Sequence, residues 1–267
     1  MARRHDAAPI ARHAAPTSAS IAAVIHVIAV QARRYASPVD VAVIGGTGAE
    51  GFGLALRLAA AGHDVTIGSR DAERGAAKAA EGNAALGDGA AMQGTDNAAA
   101  AGAAGVVFVT VPFEGAAAIY KTIAPAIRPD TVVCDCTSPL MAAVGGRASH
   151  AIRPWHGSAA EFVKTLLPKG TRLVAAFHTI GARALQALDR PVDSDAFVMG
   201  DDAGAKATVG ALIDDIAGMR WVDVGGLQMA RIAETLTPLL ISVNGRYNIH
   251  DAGFRVTGDD RWGMPPS

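Results

Sequence analysis

From Val39 onward the chain alternates short, β-branched apolar runs with longer Ala- and Leu-rich stretches. Such alternation marks repeated β-α-β units, whose parallel strands are covered on both faces and so read as continuous apolar runs. Strands are expected at Val41–Gly45, Asp64–Gly68, Val106–Val111, Thr131–Cys136 and Arg172–Phe177, with helices between them. The first helix, Glu50 to Ala61, sets Leu54 and Leu58 on one face and stops at Gly62, which suits a left-handed cap. Residues 71 to 87 read as a second, Ala-rich helix. Beyond His178 the pattern repeats at smaller scale: strand Ala196–Met199, helix Ala203 to Ile216, strand Arg220–Asp223 and helix Leu227 to Asn244. Residues 1–38 are rich in Ala, Arg, Pro and Ser, show weak periodicity, and read as an unstructured N-terminal extension.

Half of the 267 residues are hydrophobic and only 18% are charged, which suits close helix-on-sheet packing. A net charge of -1 argues against nucleic acid as a partner. Cys134 and Cys136, two apart in the apolar run "TVVCDCT", read as small buried residues on one strand face. His, Glu and Asp are scattered without metal-ligand spacing, so no metal is expected. No apolar run approaches the roughly 20 residues that a spanning helix needs. The start "MARR", the run Ile21 to Val30 and "VQARR" loosely imitate an export signal, but His26 interrupts the run, and a cytoplasmic location is expected.

Residues 45–53 hold five glycines, between the strand "VAVI" and the helix "LALRLAAAG". A strand, a Gly-rich turn and a helix in that order form a dinucleotide-binding pattern. Gly45 ends the strand, Gly48 lets the backbone approach a pyrophosphate, and Gly51 with Gly53 lets the helix lie close on the sheet. The helix N-terminus supplies free N–H groups and partial positive charge. The fold class that follows is α/β: a Rossmann-type doubly wound parallel sheet over 39–181, then a small C-terminal α/β domain over 182–258 closing the cofactor cleft, and a tail over 259–267. Where an NAD enzyme carries an acid at the end of the second strand, this chain has "GSR". Ser69 offers a hydroxyl, Arg70 a guanidinium and Arg74 a second charge one turn later. Cations at a helix N-terminus are unfavourable unless an anion visits, which points to the 2'-phosphate of NADP(H).

No Tyr has a Lys four residues on and no G-x-S-x-G elbow appears. Hydride transfer between two stacked redox rings would leave such a sparse signature, since it needs positioning more than acid–base residues. The segments "VAVIGGTG", "GLALRLAAAGHDVTIGSR", "GSAAEFVKTLLPKG", "AAFHTIGA", "DRPVDSD", "GDD", "AETLTPLL" and "RY", in that order, resemble the NADPH-dependent reductases of the deazaflavin coenzyme F420. The resemblance covers nearly all of residues 39 to 258. It implies hydride transfer between NADP(H) and coenzyme F420 as co-substrate, in a cleft between a dinucleotide fold and a small C-terminal domain. It puts Thr47, Ser69, Arg70 and Arg74 around the 2'-phosphate, His178, Thr179 and Ile180 where nicotinamide and deazaflavin meet, and adds Thr235 from the last helix. Glycines at 181 and 226 stand where proline is expected, Arg74 replaces a lysine, and the extension is foreign to the pattern.

A pyrroline-carboxylate or imine-type NADP reductase would share the first domain, but its second half would be nearly all helix. A non-enzymatic NADP(H) sensor would keep the loop and lose the second cleft. Small-molecule cofactors are the expected partners, without membrane or nucleic acid, and a homodimer is compatible with the chain. Because residues 1–38 lack a periodicity that would bury a face, a chain beginning near Ser37 is expected to stay soluble and active, as checked by expression and turnover of the truncated protein.

Overall fold

The computed structural model describes residues 37–87, 91–258 and 262–263, so the expected extension and tail fall almost wholly outside the described residues. Strands β1 (Asp40–Ile44), β2 (Asp64–Ser69), β3 (Gln93–Asp96), β4 (Val106–Val109), β5 (Val132–Asp135), β6 (Arg172–Ala175), β7 (Asp195–Gly200) and β8 (Arg220–Asp223) form a sheet in the order β3-β2-β1-β4-β5-β6-β7-β8. The first six pair in parallel, with Val41 opposite Val65 on one side and Val106 on the other. β7 runs antiparallel to β6 and β8 parallel to β7. This doubly wound α/β sheet is the expected fold class.

The helices are α1 (Ala49–Ala60), α2 (Ala72–Leu86), α3 (Asn97–Ala103), α4 (Phe113–Ile123), α5 (Ala159–Lys164), α6 (Ala182–Gln186), α7 (Ala203–Asp214) and α8 (Ala230–Tyr247). Strand alternation sorts them into two layers. Val41, Val43, Phe108 and Val174 face one side with Leu54, Leu58, Leu185 and Leu212 from α1, α6 and α7. Ala42, Ile44, Val107 and Ala175 face the other with Tyr120, Val163 and Ala230 from α4, α5 and α8. Cys134 and Cys136 are free and buried, as their setting suggested, and Gly62 takes the left-handed conformation expected of it (φ 88°).

Four features depart from the sequence pattern. β3 and α3 were not anticipated, because "QGTD" holds no apolar run; β3 exists through pairing with β2, and Asp96 caps α3 by accepting from the N–H groups of Ala98 and Ala99. The last helix opens with a 3-10 turn at Leu227–Met229 and runs to Tyr247 rather than Asn244. β7 and β8 add to the edge of the same sheet, so residues 182–258 lie beside it. Finally, Gly53 serves a different neighbour from the expected one: a Cβ there would stand 2.7 Å from Leu185 Cβ in α6, not against the sheet.

That contact belongs to a larger junction. Arg57 of α1 is buried, and its guanidinium donates to the carbonyls of Leu185 (2.8 Å), Ala184 (2.9 Å), Ala187 (2.6 Å) and Arg190 (2.9 Å). These carbonyls lie in the C-terminal turn of α6 and the bend after it, where most lack a backbone partner; the Ala187 carbonyl also accepts from Arg190 N–H (3.3 Å). Burial brings the guanidinium down to about 10, so it stays charged at neutral pH. Gln186 closes the other end by donating to the carbonyl of Ala49 (2.6 Å). Replacing Arg57 leaves buried carbonyls without a donor, and Arg57→Leu is expected to lower the unfolding free energy by about 3 kcal/mol, read from urea unfolding.

Candidate functional site

β1 ends at Gly45, whose φ of 79° is a conformation that L side chains rarely adopt, and Gly48 N–H closes the turn on the Gly45 carbonyl (2.9 Å). Gly48 is the N-cap of α1 and contributes no side-chain cap, so the first N–H groups of this 12-residue helix point to the loop without a capping oxygen. Gly51 lets that N-terminus lie against β4: a Cβ there would come within 2.3 Å of Thr110 Oγ1 and 2.9 Å of the Gly45 carbonyl oxygen. Thr110 is itself held by its hydroxyl on the Ile44 carbonyl (3.0 Å).

These elements border a cleft of about 430 Å³ at the C-terminal ends of β1, β2 and β4. This is where the strand order reverses, the usual ligand crevice of an open α/β sheet. Gly45, Thr47, Gly48, Ser69, Arg70 and Arg74 all line it. Ser69 is buried, whereas Arg70 and Arg74 are exposed and form no ion pair with any described residue. Asp71 does not neutralise them; its carboxylate caps α2 by accepting from Arg74 N–H (2.8 Å). The cleft therefore presents two uncompensated guanidinium groups beside an uncapped helix N-terminus, an arrangement whose charge suits an anion. Asn97 also lines it, and its buried Oδ1 has no partner. Sequence reasoning missed Asn97 and Thr110, since nothing in "TDNAAAA" or "VTVPF" marks them.

His178, Thr179, Ile180 and Thr235 do not line this cleft. The first three form a buried turn after β6, closed by Ile180 N–H on the Phe177 carbonyl (3.0 Å). Phe177 reaches it through a positive φ of 71°, which is costly for a bulky residue and is held here by burial and an edge-on contact with Phe108 (5.6 Å). Thr237 of α8 fixes the turn by donating to the His178 carbonyl (2.7 Å), with Ser138 Oγ 2.8 Å from the same hydroxyl. Thr235, the residue singled out from the sequence, is exposed and spends its hydroxyl on the Ile232 carbonyl of its own helix.

Beside the turn, Asp135 at the end of β5 (0% exposed), His178 (6%) and Glu234 of α8 (1%) bring their ligand atoms within 4.8 Å of one another. Asp135 Oδ1 accepts from Tyr120 and Thr137 hydroxyls, both at 2.7 Å. Glu234 accepts from Ala159 and Ala160 N–H at the start of α5 (2.9 and 3.1 Å). Burial pushes Asp135 up to about 6 and Glu234 up to about 8, against those hydrogen bonds, and brings His178 down to about 4. The signal in the sequence was an acid inside the apolar run "VVCDC", where an ionised group is costly.

If the Gly51 contact sets the loop, Gly51→Ala is expected to lose about 1–3 kcal/mol of stability and weaken NADPH binding. Gly245→Ala, where a Cβ would meet nothing within 4 Å, serves as the neutral control, with binding followed by fluorescence titration and stability by urea unfolding.

Residues 40–139 match the family described as NADP oxidoreductase, coenzyme F420-dependent. The F420-dependent NADP reductase of Methanothermobacter thermautotrophicus is 43% identical over 219 residues, spanning 81% of this chain and 94% of that protein. The protein of the same description from Methanocaldococcus jannaschii is 39% identical over 220 residues, spanning 81% and 97%. A crystal structure from Arthrobacter sp. FB24, described as a candidate F420-dependent NADP-reductase, shares the fold with a TM-score of 0.70 at 24% identity, over 82% of this chain and 100% of that one. A reductive aminase from Aspergillus terreus shares it with a TM-score of 0.52 at 18% identity, over 79% and 62%. With identity this high across nearly the whole of the curated relatives, this chain belongs to the family of F420-dependent NADP reductases.

Proposed function

We propose that this protein transfers hydride between NADP(H) and the deazaflavin coenzyme F420. The reading is carried by the phosphate-facing cleft, where Arg70 and Arg74 stand uncompensated beside the N-terminus of α1 in a chain 43% identical to a curated reductase of this kind. Gly48 and the first turn of α1 hold the pyrophosphate, with Gly45 and Gly51 letting the backbone come close. Thr47, Ser69, Arg70 and Arg74 take the 2'-phosphate, which separates NADP(H) from NAD(H). The His178–Ile180 turn lies where the two rings meet, and Thr237 keeps it there. Thr235, exposed on α8, contributes at most from the outer side of that position. Residues 182–258, through α8, supply the wall that closes the ring end of the cleft.

With both substrates bound, the chemistry is a direct two-electron hydride transfer. The protein contributes orientation and exclusion of water rather than a covalent step. β7 and β8 argue against the imine-reductase alternative, whose second half would be nearly all helix. The sensor alternative lacks a reason for identity that continues through the last helix.

Arg70 gives the decisive test. Losing its charge-assisted contact with the 2'-phosphate forfeits about 1.5–3 kcal/mol, or roughly 10- to 150-fold in affinity. Arg70→Ala is therefore expected to raise KM for NADPH strongly and KM for NADH little, with kcat largely kept, in steady-state assays with oxidised F420. Equal losses for both nucleotides would assign Arg70 to structure. Arg74→Ala should couple to it, the double variant deviating from additivity because both cations share one anion.

A further inference from the structure

Asp135, His178 and Glu234 are more than a packed corner. Asp135 Oδ2 and His178 Nε2 are buried atoms without a hydrogen-bond partner, in a protein where such groups are nearly always paired. Neither carboxylate of the cluster makes an ion pair with the imidazole, yet the three ligand atoms lie within 4.8 Å. With no ion pair formed and all three atoms inside that limit, the separation is of the size that one bridging water spans, with three polar partners of the kind a buried water takes.

Charge balance leads to the same place. Glu50, on the first turn of α1, adds a third carboxyl that Asp135 holds up; burial and that charge push it to about 8. Around the cluster, Tyr120 from α4 is pushed well above its ordinary range and stays a donor, and Cys136 likewise stays a thiol. From α5, Glu161 adds negative charge and is itself paired with Arg231 of α8 (2.9 Å). No Lys or Arg among the described residues pairs with Asp135, Glu234 or Glu50. Without a cation, Glu234 and Glu50 are neutralised by protons at neutral pH, while Asp135, raised only to about 6, keeps the charge that holds them up.

We propose that Asp135, His178 and Glu234 form an internal proton-holding site that lends, through His178, the proton accompanying hydride to the second substrate. The proposal rests on the function given above. When NADPH reduces the deazaflavin, two electrons and one hydrogen leave the nicotinamide as hydride, and the reduced acceptor keeps one further proton, so each turnover draws one H⁺. The carboxyl O–H of the cluster gives its proton by way of the bridging position to His178 Nε2. The ring passes a proton onward, and solvent restores the carboxyl. In the opposite direction the cluster takes the proton up. Asp135 and Glu234 are thus positioning and proton-holding residues that act through His178.

Asp135→Asn is the informative variant. It keeps an oxygen for the Tyr120 and Thr137 hydroxyls and replaces only the unpartnered oxygen, so the fold is expected to survive. The first readout is infrared difference spectroscopy of the protein alone. Wild type should show a carboxylic-acid carbonyl band at neutral pH that fades as pH rises through about 8, and in Asp135→Asn that fading should move to lower pH, because the Asp135 charge that helps hold Glu234 and Glu50 up is gone. The second is the pH profile of kcat for F420 reduction. Raised carboxyls are protonated below their pKa, so the wild-type rate should fall on the alkaline side. The variant should be at least about tenfold slower with that limb displaced, while its Kd for NADPH is unchanged. Glu234→Gln should move the same profile. An absent carboxylic-acid band, an unchanged profile in Asp135→Asn, or a stoichiometric divalent metal lost in that variant would each overturn the proposal. A wild type that binds NADPH but reduces no deazaflavin would overturn the function instead, since the band is read without substrates.

Discussion

The buried guanidinium of Arg57 ties the two halves of the site into one object. Its helix, α1, presents its N-terminus to the phosphate cleft, while Arg57 near the other end holds the carbonyls of residues 184–190. Those residues begin just after the His178–Ile180 turn, so the spacing between the Gly-rich cleft and that turn is set by one rigid rod and four charge-assisted hydrogen bonds. A charge buried at this cost is tolerable because most of the carbonyls it meets would otherwise end a helix or bend unpaired. Gly53 is part of the same arrangement, since a side chain there would separate α1 from α6.

The electrostatics of the two ends are opposite. The phosphate end gathers positive potential from an uncapped helix N-terminus and two exposed arginines, and is open to water. The cluster beside the His178–Ile180 turn gathers two carboxyls and an imidazole, all buried. The buried groups there are tuned by desolvation. Phe177 shows what this arrangement costs locally: a bulky residue in a left-handed conformation turns the chain so that His178 meets Asp135 and Glu234.

Much of the Gly-rich cleft was legible in the sequence, because a Gly-rich turn, a helix start and "GSR" lie within about thirty consecutive residues, and local order suffices to place them. The apolar runs of β1, β4 and β5 announced themselves for the same reason: strands covered on both faces cannot hide their composition. Cys134 and Cys136 were readable as core from their neighbours alone.

Periodicity says that a face is buried, but not what buries it. "QGTD" becomes β3 only because β2 offers it a ladder, Arg57 finds carbonyls more than a hundred residues away, and Thr237 rather than Thr235 meets the His178 turn because of how α8 is rotated against it. Asp135, His178 and Glu234 sit on β5, after β6 and on α8, each unremarkable in its own segment. Sequence by itself determined the parallel α/β plan and the Gly-rich loop at the cleft, since both follow from local pattern and backbone geometry. Only the tertiary structure decided the buried acid–imidazole cluster and the Arg57 junction, because burial and proximity between distant segments exist only once the sheet has assembled.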